Sequence, residues 1–320
     1  MKDFKGRLAV ITGGGSGMGR ELAAQLSAQG CSVAMCDLST DNVEATAELC
    51  RKGAPDGTDI TTHICDVSDE AQVLAFRDEV TASHPRGHIN LLFNNAGIGG
   101  GGSFVNDSRD EWEKTFGVCW YGVYHCTRAF MPLLIASEEG HLINTSSVNG
   151  FWASLGVETP HTAYSSAKFA VKGFSEALIN DLRINAPHVK VSVVMPGHIG
   201  TNIAINSGRI LGQPDPLDLS DAEVDKSREQ MRRRGVEVDA LSDDQLRAAI
   251  KQRGIDFREL APTTSAQAAS IILDGVSEEQ WRILVGEDAA ILDRRVREDP
   301  EAAYEADFNG LDIGSGARSG

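Results

Sequence analysis

The sequence predicts an α/β protein, a parallel β-sheet with helices over both faces. Two observations carry that reading. Short β-rich runs alternate with helical patterns along most of the chain, and a strand–helix alternation at this spacing places parallel strands between two helical layers. The first junction is also a glycine-rich turn, Gly13-Gly14-Gly15-Ser16-Gly17-Met18-Gly19, set between a strand-like run and a helical one.

The elements follow in order. Residues 7–12 (RLAVIT) form the first strand, and the helix after the glycines runs through Leu22 and Leu26 to Gly30. Residues 32–37 (SVAMCD) give the second strand and 41–50 a helix. A third strand covers 60–66, a helix 69–80, and a fourth strand 89–93, which ends in Asn94-Asn95-Ala96-Gly97. A long helix is predicted over 109–136 and a fifth strand over 141–146. The apolar spacing of Phe169, Val171, Phe174, Leu178 and Leu182 predicts a further helix. Residues 189–195 form the sixth strand, stopped by Pro196-Gly197.

Beyond Pro196 the regularity stops. Residues 202–260 are polar and charged and read as an inserted helical lid, with capping boxes at Ser220–Glu223 and Ser242–Gln245 starting two short helices. Arg232-Arg233-Arg234 between them reads either as an anion clamp or as a solvated basic helix end. A helix over 263–274 and a strand over 281–285 complete the pattern. The catalytic domain is expected over 1–290, with 291–320 as a C-terminal extension whose Gly- and Ser-rich tail, 309–320, is expected to be mobile.

Composition narrows the function. The net charge of −16 argues against nucleic-acid phosphates and anionic membrane surfaces as partners. No run reaches the ~18 apolar residues of a membrane span, and the N-terminus leads straight into a strand, without a signal-peptide pattern. The six cysteines form no C-x-x-C pair, and several lie in apolar runs where a reduced buried thiol is expected. A cytoplasmic protein is the resulting expectation. No metal-ligand pattern occurs.

The chemistry centres on Tyr164-Ser165-Ser166-Ala167-Lys168. Positions four apart share a helical face, so Lys168 lies beside Tyr164. A neighbouring ammonium favours phenolate and lowers a tyrosine pKa from its usual ~10, which suits proton transfer near neutrality. Alone, the pair is also what chance places on many helices. The glycine-rich turn adds a second function: Gly13, Gly17 and Gly19 let the backbone approach a pyrophosphate at the helix N-terminus. Asp37 ends the second strand, where a carboxylate accepts hydrogen bonds from both adenosine ribose hydroxyls and repels a 2′-phosphate. Leu38 rather than arginine follows it, and 14–16 hold no lysine or arginine. NAD is therefore expected over NADP. Asp37 also reads as a simple turn cap. Asp66 and Val67 are placed to hold the adenine, or to turn the chain into the next helix.

These residues resemble the short-chain dehydrogenase/reductase family, in its compact single-domain branch. Thr12-Gly13-x-x-x-Gly17-x-Gly19, Asn94-Asn95-Ala96-Gly97, Asn144-x-Ser146-Ser147, Tyr164-x-x-x-Lys168 and Pro196-Gly197-x-x-x-Thr201 stand in the family's order and spacing. The match is close over about 5–201 and loose over 262–290. It implies a doubly wound, seven-stranded Rossmann sheet with the site at the carboxyl ends of its strands. It further implies Tyr164 as acid/base, Lys168 as its partner and a ribose ligand, and Ser147 as the hydroxyl that polarises the substrate oxygen. Ser146 is expected to be structural. Ser16, Met18, Asn95, Ala96, Gly97, Pro196, Gly197, Ile199 and Thr201 complete the implied cofactor contacts. The family usually carries an asparagine where this chain has Cys119. A thiol is a weak donor and acceptor, so a weakened or rerouted proton relay is expected.

The resulting expectation is an NAD-dependent dehydrogenase that interconverts a small-molecule secondary alcohol and ketone. Ser147, Trp152, Leu155 and Ile203 are the expected substrate-pocket residues, with Phe151 also flanking it. Rival readings are a cofactor-binding regulator with little turnover, or a lyase or isomerase using the same pocket. Trp120, Tyr121, Val123 and Phe130, and Phe169, Phe174, Leu178 and Ile179, spread over more than one face of their helices. One sheet covers one stripe of each, so the rest needs another partner, and the family resemblance implies that this partner is a second copy. Light scattering at micromolar concentration should give a dimer or tetramer mass; a monomer mass refutes this.

Overall fold

The computed structural model describes residues 1–156, 159–233 and 235–308. The expected mobility of 309–320 concerns residues outside this range. Seven parallel strands form the main sheet: β1 (Leu8–Thr12), β2 (Ser32–Asp37), β3 (Ile60–Ile64), β4 (Leu91–Asn94), β5 (Gly140–Thr145), β6 (Val189–Pro196) and β9 (Arg282–Val285). Their order is β3-β2-β1-β4-β5-β6-β9. The chain winds outward from β1 in one direction and from β4 in the other. A crevice therefore opens at the carboxyl ends of β1 and β4, where the strand order reverses. A short parallel pair, β7 (Ile199–Gly200) and β8 (Thr263–Thr264), lies beyond β6.

Both sheet faces are covered. All five residues of β1 are buried, as a strand with helices on both sides requires. Ala9 and Ile11 pack with Leu22 and Leu26 of α1 (Gly17–Ala28) and Ile272 of α10 (Ser265–Ser277). Leu8 and Val10 point the other way, into Phe76 of α3 (Glu70–Ser83) and Phe130 of α5 (Gly122–Ile135). The two-residue side-chain period of a strand makes this division. Helix α2 (Thr40–Gly53) packs beside α1, and α6 (Thr162–Asn185) covers β5 and β6.

The long helix expected over 109–136 is interrupted. It consists of α4 (Arg109–Phe116), a π-helical turn (Gly117–Tyr121) and α5. Period alone does not reveal the turn, because all three segments keep an apolar stripe; π-turns inside helices recur at functional sites. The inserted region holds α7 (Ile203–Ile210), α8 (Asp221–Arg233) and α9 (Asp243–Glu259). The capping box at Ser242–Gln245 is present, and Ser220 and Glu223 exchange the same bonds. Val224, Val238 and Leu246 form a small separate core under this segment. Arg228 donates to the Val238 and Leu241 carbonyls and to Asp243. Arg232 pairs with Asp239 and Arg233 with Glu229, so these two guanidiniums are engaged by local acids rather than offered as an anion clamp. Arg234 lies outside the described residues. Helix α11 (Glu287–Glu298) and the turn Ala302–Tyr304 follow β9 and pack on 148–152.

His141 sits in β5 at 1% exposure, with Nε2 2.8 Å from the Ser192 hydroxyl and Nδ1 buried without a partner. Burial pushes its pKa down to about 3. The unfolded chain takes up that proton near pH ~6.5 and the folded chain does not, so the group removes stability as pH falls from ~6.5 toward 3. His141→Gln should flatten the pH dependence of urea-unfolding free energy between pH ~6 and ~4.5, by up to about 1.4 kcal/mol per pH unit. An unchanged slope would remove His141 from the acid response.

Candidate active site

The glycine-rich turn is shaped by steric necessity. Gly13 and Gly17 have φ of +67° and +54°, the left-handed region that side chains disfavour. A Cβ at Gly19 would stand 2.1 Å from the Gly13 carbonyl oxygen, so α1 can approach β1 only with glycine there. The N-cap Ser16 makes no side-chain capping bond, leaving the first N–H groups of α1 facing outward.

A cleft of ≈ 150 Å³ opens in front of this turn. Gly13, Ser16, Gly17 and Met18 line it from the turn, Asp37 and Leu38 from the end of β2, and Asp66 and Val67 from beyond β3. Asn95, Ala96, Gly97 and Thr201 close it. Gly19 stands behind the turn as the packing residue. Asp37 caps its own turn, accepting from Ser39 N at 3.1 Å, and also accepts from Gly15 N at 2.9 Å. It thereby ties the glycine turn to β2. Asp66 accepts from the Ser68 backbone and hydroxyl. Asn95 anchors to β1 by donating to the Thr12 carbonyl. These features fit a dinucleotide: an uncapped helix N-terminus for phosphate, an acid at the ribose position, and a Gly17 whose Cβ would sit 3.2 Å from Thr201 and narrow the entry. Cys65, Ile98, Val118, Asn206 and Ile210 also line the cleft. None carries a sequence motif; topology alone brings them there.

A second cavity of ≈ 390 Å³ continues from the first and shares Met18, Asn95, Gly97, Thr201 and Ile203 with it. Ser147, Tyr164 and Lys168 converge on it, together with Leu155, Pro196, Gly197 and Ile199. Lys168 is 2% exposed; its Nζ lies 5.4 Å from the Tyr164 ring centre and donates to the Thr145 carbonyl at 2.8 Å. Ser146 turns away and donates to the Lys168 carbonyl at 2.7 Å, the structural role read from the sequence.

The electrostatics differ from the simple pairing argument. Burial raises the Tyr164 phenol above its ordinary pKa; the Cys119 sulfur adds to this, and a hydrogen bond with Ser147 opposes it. Burial also pulls Lys168 below its usual value. The expected depression of the phenol by the ammonium is therefore corrected: desolvation outweighs it, because both groups lie in the same water-poor wall. The His161 ring packs tilted against the Tyr164 ring with centres 4.6 Å apart, and burial pushes its pKa down to about 4. His198 is bound by its backbone N–H to Asp288 at 2.6 Å and by its ring to the Phe257 carbonyl at 2.7 Å.

Two further expectations meet the structure here. Trp152 does not line the cavity. It is 2% exposed, packs against Leu292, Ala303 and Phe308, and donates through Nε1 to the Ala303 carbonyl at 2.7 Å. No local pattern around residue 152 marks it as covered by α11 and the following turn. Phe151 packs on the same side, under Arg282. Cys119 lies in the π-turn, fully buried, with its thiol donating to the Ile98 carbonyl at 3.1 Å.

A doubly wound sheet with a glycine-rich cleft and an adjoining Ser–Tyr–Lys cavity defines a nucleotide-dependent oxidoreductase class. The sequence matches the short chain dehydrogenase family over residues 7–209. It is 34% identical over 293 residues to SadH of Mycobacterium tuberculosis, a protein named as an oxidoreductase, across 92% of this chain and 91% of that one. It is 33% identical over 215 residues to levodione reductase of Leifsonia aquatica, across 67% of this chain and 77% of the relative. A short chain dehydrogenase/reductase from Burkholderia phymatum, solved with NAD, superposes with TM-score 0.74 at 28% identity, over 96% of this chain and 98% of the other. A metagenomic short-chain oxidoreductase solved with NADP superposes with TM-score 0.54 at 25% identity, over 79% and 92%. The chain belongs to the short-chain dehydrogenase/reductase family.

Trp152→Ala should destabilise the fold by about 3–5 kcal/mol, because it empties a filled site and strands the Ala303 carbonyl. Trp152→Phe should cost less and leave substrate preference unchanged. Altered substrate preference in the Phe variant, measured as a ratio of kcat/KM values, would return Trp152 to the pocket.

Proposed function

We propose that the protein is an NAD-dependent dehydrogenase/reductase that interconverts a secondary alcohol and a ketone, with Tyr164 as the acid/base. The observation that carries this reading is the convergence of Ser147, Tyr164 and Lys168 on a cavity continuous with the glycine-rich cleft. The cofactor supplies the hydride acceptor or donor when bound. The protein's own residues do the rest. Ser147 and Tyr164 offer hydroxyl donors to one substrate oxygen. The raised phenol pKa holds the proton on Tyr164, ready to be given to a developing alkoxide; in the oxidation direction the alcohol proton passes to the same oxygen in its phenolate form. Lys168, brought close by the helical turn, supports the phenolate form and holds a ribose hydroxyl. Leu155 and Ile203 offer apolar surface to an alicyclic frame.

Asp37 favours NAD: its carboxyl stands in the cleft wall with Leu38 beside it, where a 2′-phosphate meets repulsion and no guanidinium. The inserted helices act as a lid over the cavity, since α7 supplies Ile203, Ser207 and Leu211 to its wall. Tyr121 and Phe169 are 48% and 41% exposed on α5's approach and on α6, which supports assembly through those helices. Among the described residues no helix is long and apolar enough to cross a membrane, and a cytoplasmic location is part of the proposal.

Tyr164→Phe should lower kcat by about 10²–10⁴-fold while NAD still binds, as fluorescence titration would measure. Unchanged turnover would take Tyr164 out of the mechanism. The wild type should favour NAD over NADP in kcat/KM, and Asp37→Ala with Leu38→Arg should shrink or reverse the ratio by about tenfold or more. A wild-type preference for NADP would overturn the cofactor assignment.

A further inference from the structure

The wall of the larger cavity includes Gly97, Gly99 and Gly100, part of a glycine-rich stretch broken by Ile98 that leads from the reacting end to a second polar end. A Cβ at Gly97 would sit 3.6 Å from Lys168 Nζ, and one at Gly100 would sit 3.6 Å from Glu111 Oε1. Gly101 donates its N–H to Glu111 Oε1 at 3.2 Å and accepts from Ala163 N, the neighbour of Tyr164, at 3.0 Å. Glycine is required along this strip: a Cβ at Gly101 would stand 2.5 Å from Ala163 and one at Gly100 2.7 Å from Leu211. Gly101 stands four positions along the chain from Gly97, so the two Cα atoms are no more than about 14 Å apart.

Both Glu111 and His161 line this cavity and both are half-buried. Oε1 of Glu111 holds the Gly101 N–H, and the carboxyl group keeps further acceptor capacity. The His161 ring nitrogens have no hydrogen-bond partner among the described residues. Other polar groups of the wall are engaged within the protein: Asn149 donates to the Trp152 and Ser154 carbonyls, His198 meets the Phe257 carbonyl, and Ser207 accepts from Gly99 N. Polar groups held in a largely apolar cavity without full pairing discriminate strongly for ligands that complete them.

We propose that Glu111, together with His161, selects ketones and alcohols that carry a second group, a hydrogen-bond donor such as a hydroxyl or amine, across an apolar frame from the reacting carbon. This rests on the assignment of Tyr164 as the reacting end. The carboxyl accepts the second group's hydrogen, and the neutral imidazole, pushed down to about 4 by burial, donates its ring N–H to a hydroxyl oxygen or accepts from an amine. The carbon frame between lies against Leu155 and Ile203.

The test uses decalin-2-one and its 6-hydroxy and 6-amino derivatives, titrated by calorimetry into the NAD-loaded protein, with turnover measured separately. The donor-bearing ketones should bind about tenfold or more tightly than the plain one. Glu111→Gln keeps an oxygen for Gly101 and removes the charge, and should cut the amine's advantage by about fivefold or more. His161→Phe keeps the ring against Tyr164 and should reduce the advantage of both derivatives. Equal binding of all three ketones, no measurable binding of the donor-bearing pair, or an advantage unchanged in both variants overturns the selection role. Selective binding without turnover of any ketone or alcohol would instead overturn the oxidoreductase reading and leave the selection role standing.

Discussion

A chain of buried hydrogen bonds holds helix α6 to the carboxyl end of strand β5, and the candidate chemistry depends on it. Lys168 donates to the Thr145 carbonyl, Ser146 to the Lys168 carbonyl, and Asn144 to the Ser175 hydroxyl. Asn94 extends the chain to β4 by donating to Asn144. Each bond joins groups that would be costly to leave unpaired in the interior. Together they fix the register of α6 against the sheet. That register places Tyr164 over the Ser147 loop and Lys168 beneath it. Gly150 belongs to the same constraint, since a Cβ there would stand 2.2 Å from the Ser146 hydroxyl and push the helix away.

Burial makes this arrangement rigid and also sets its electrostatics. Taking a phenol and an ammonium out of water disfavours the charged form of each, which raises one pKa and lowers the other. Burial thus favours the neutral phenol of Tyr164 and weakens the hold of Lys168 on its proton, so a hydrogen bond with a substrate oxygen or ribose hydroxyl acts here without the screening that water gives an exposed pair.

Much of this was legible in the sequence where local chemistry and periodicity agree. The glycine turn, Asp37, Tyr164 and Lys168 sit at strand ends or on one helical face, and the structure brings them to two adjoining cavities. The misreadings share a cause. Trp152 lies next to the Ser147 motif in sequence, yet its surroundings are set by α11, more than a hundred residues later. The π-turn around Cys119 leaves the apolar period intact, so periodicity does not register it. The direction of the Tyr164 pKa lies beyond the spacing argument because a sequence shows which charges are neighbours but not how far they lie from water. Glu111 carries no motif, and His161 lies near the Tyr164 motif where a histidine beside a loop does not by itself mark a site; the glycines at 99–102 mark a close approach without saying of what.

The inserted helices show how a region without family motifs becomes tied to the site. The ring of His198 packs tilted against Phe257 at 4.3 Å and bonds its carbonyl, while Arg258 reaches Asn202. A Cβ at Gly200 would lie 2.7 Å from the Arg258 carbonyl, so α9 presses directly on the turn after Pro196. From the other side, Asp288 accepts the His198 N–H, and a Cβ at Gly197 would collide with its carboxyl at 2.2 Å. The turn is thus clamped between α11 and α9. The small core around Val224 and Leu246 gives the insertion its own cohesion, and the Phe257 contact transmits its position to the loop that walls both cavities. The insertion therefore meets the site through His198 and through α7, which reaches both cavities by way of Ile203.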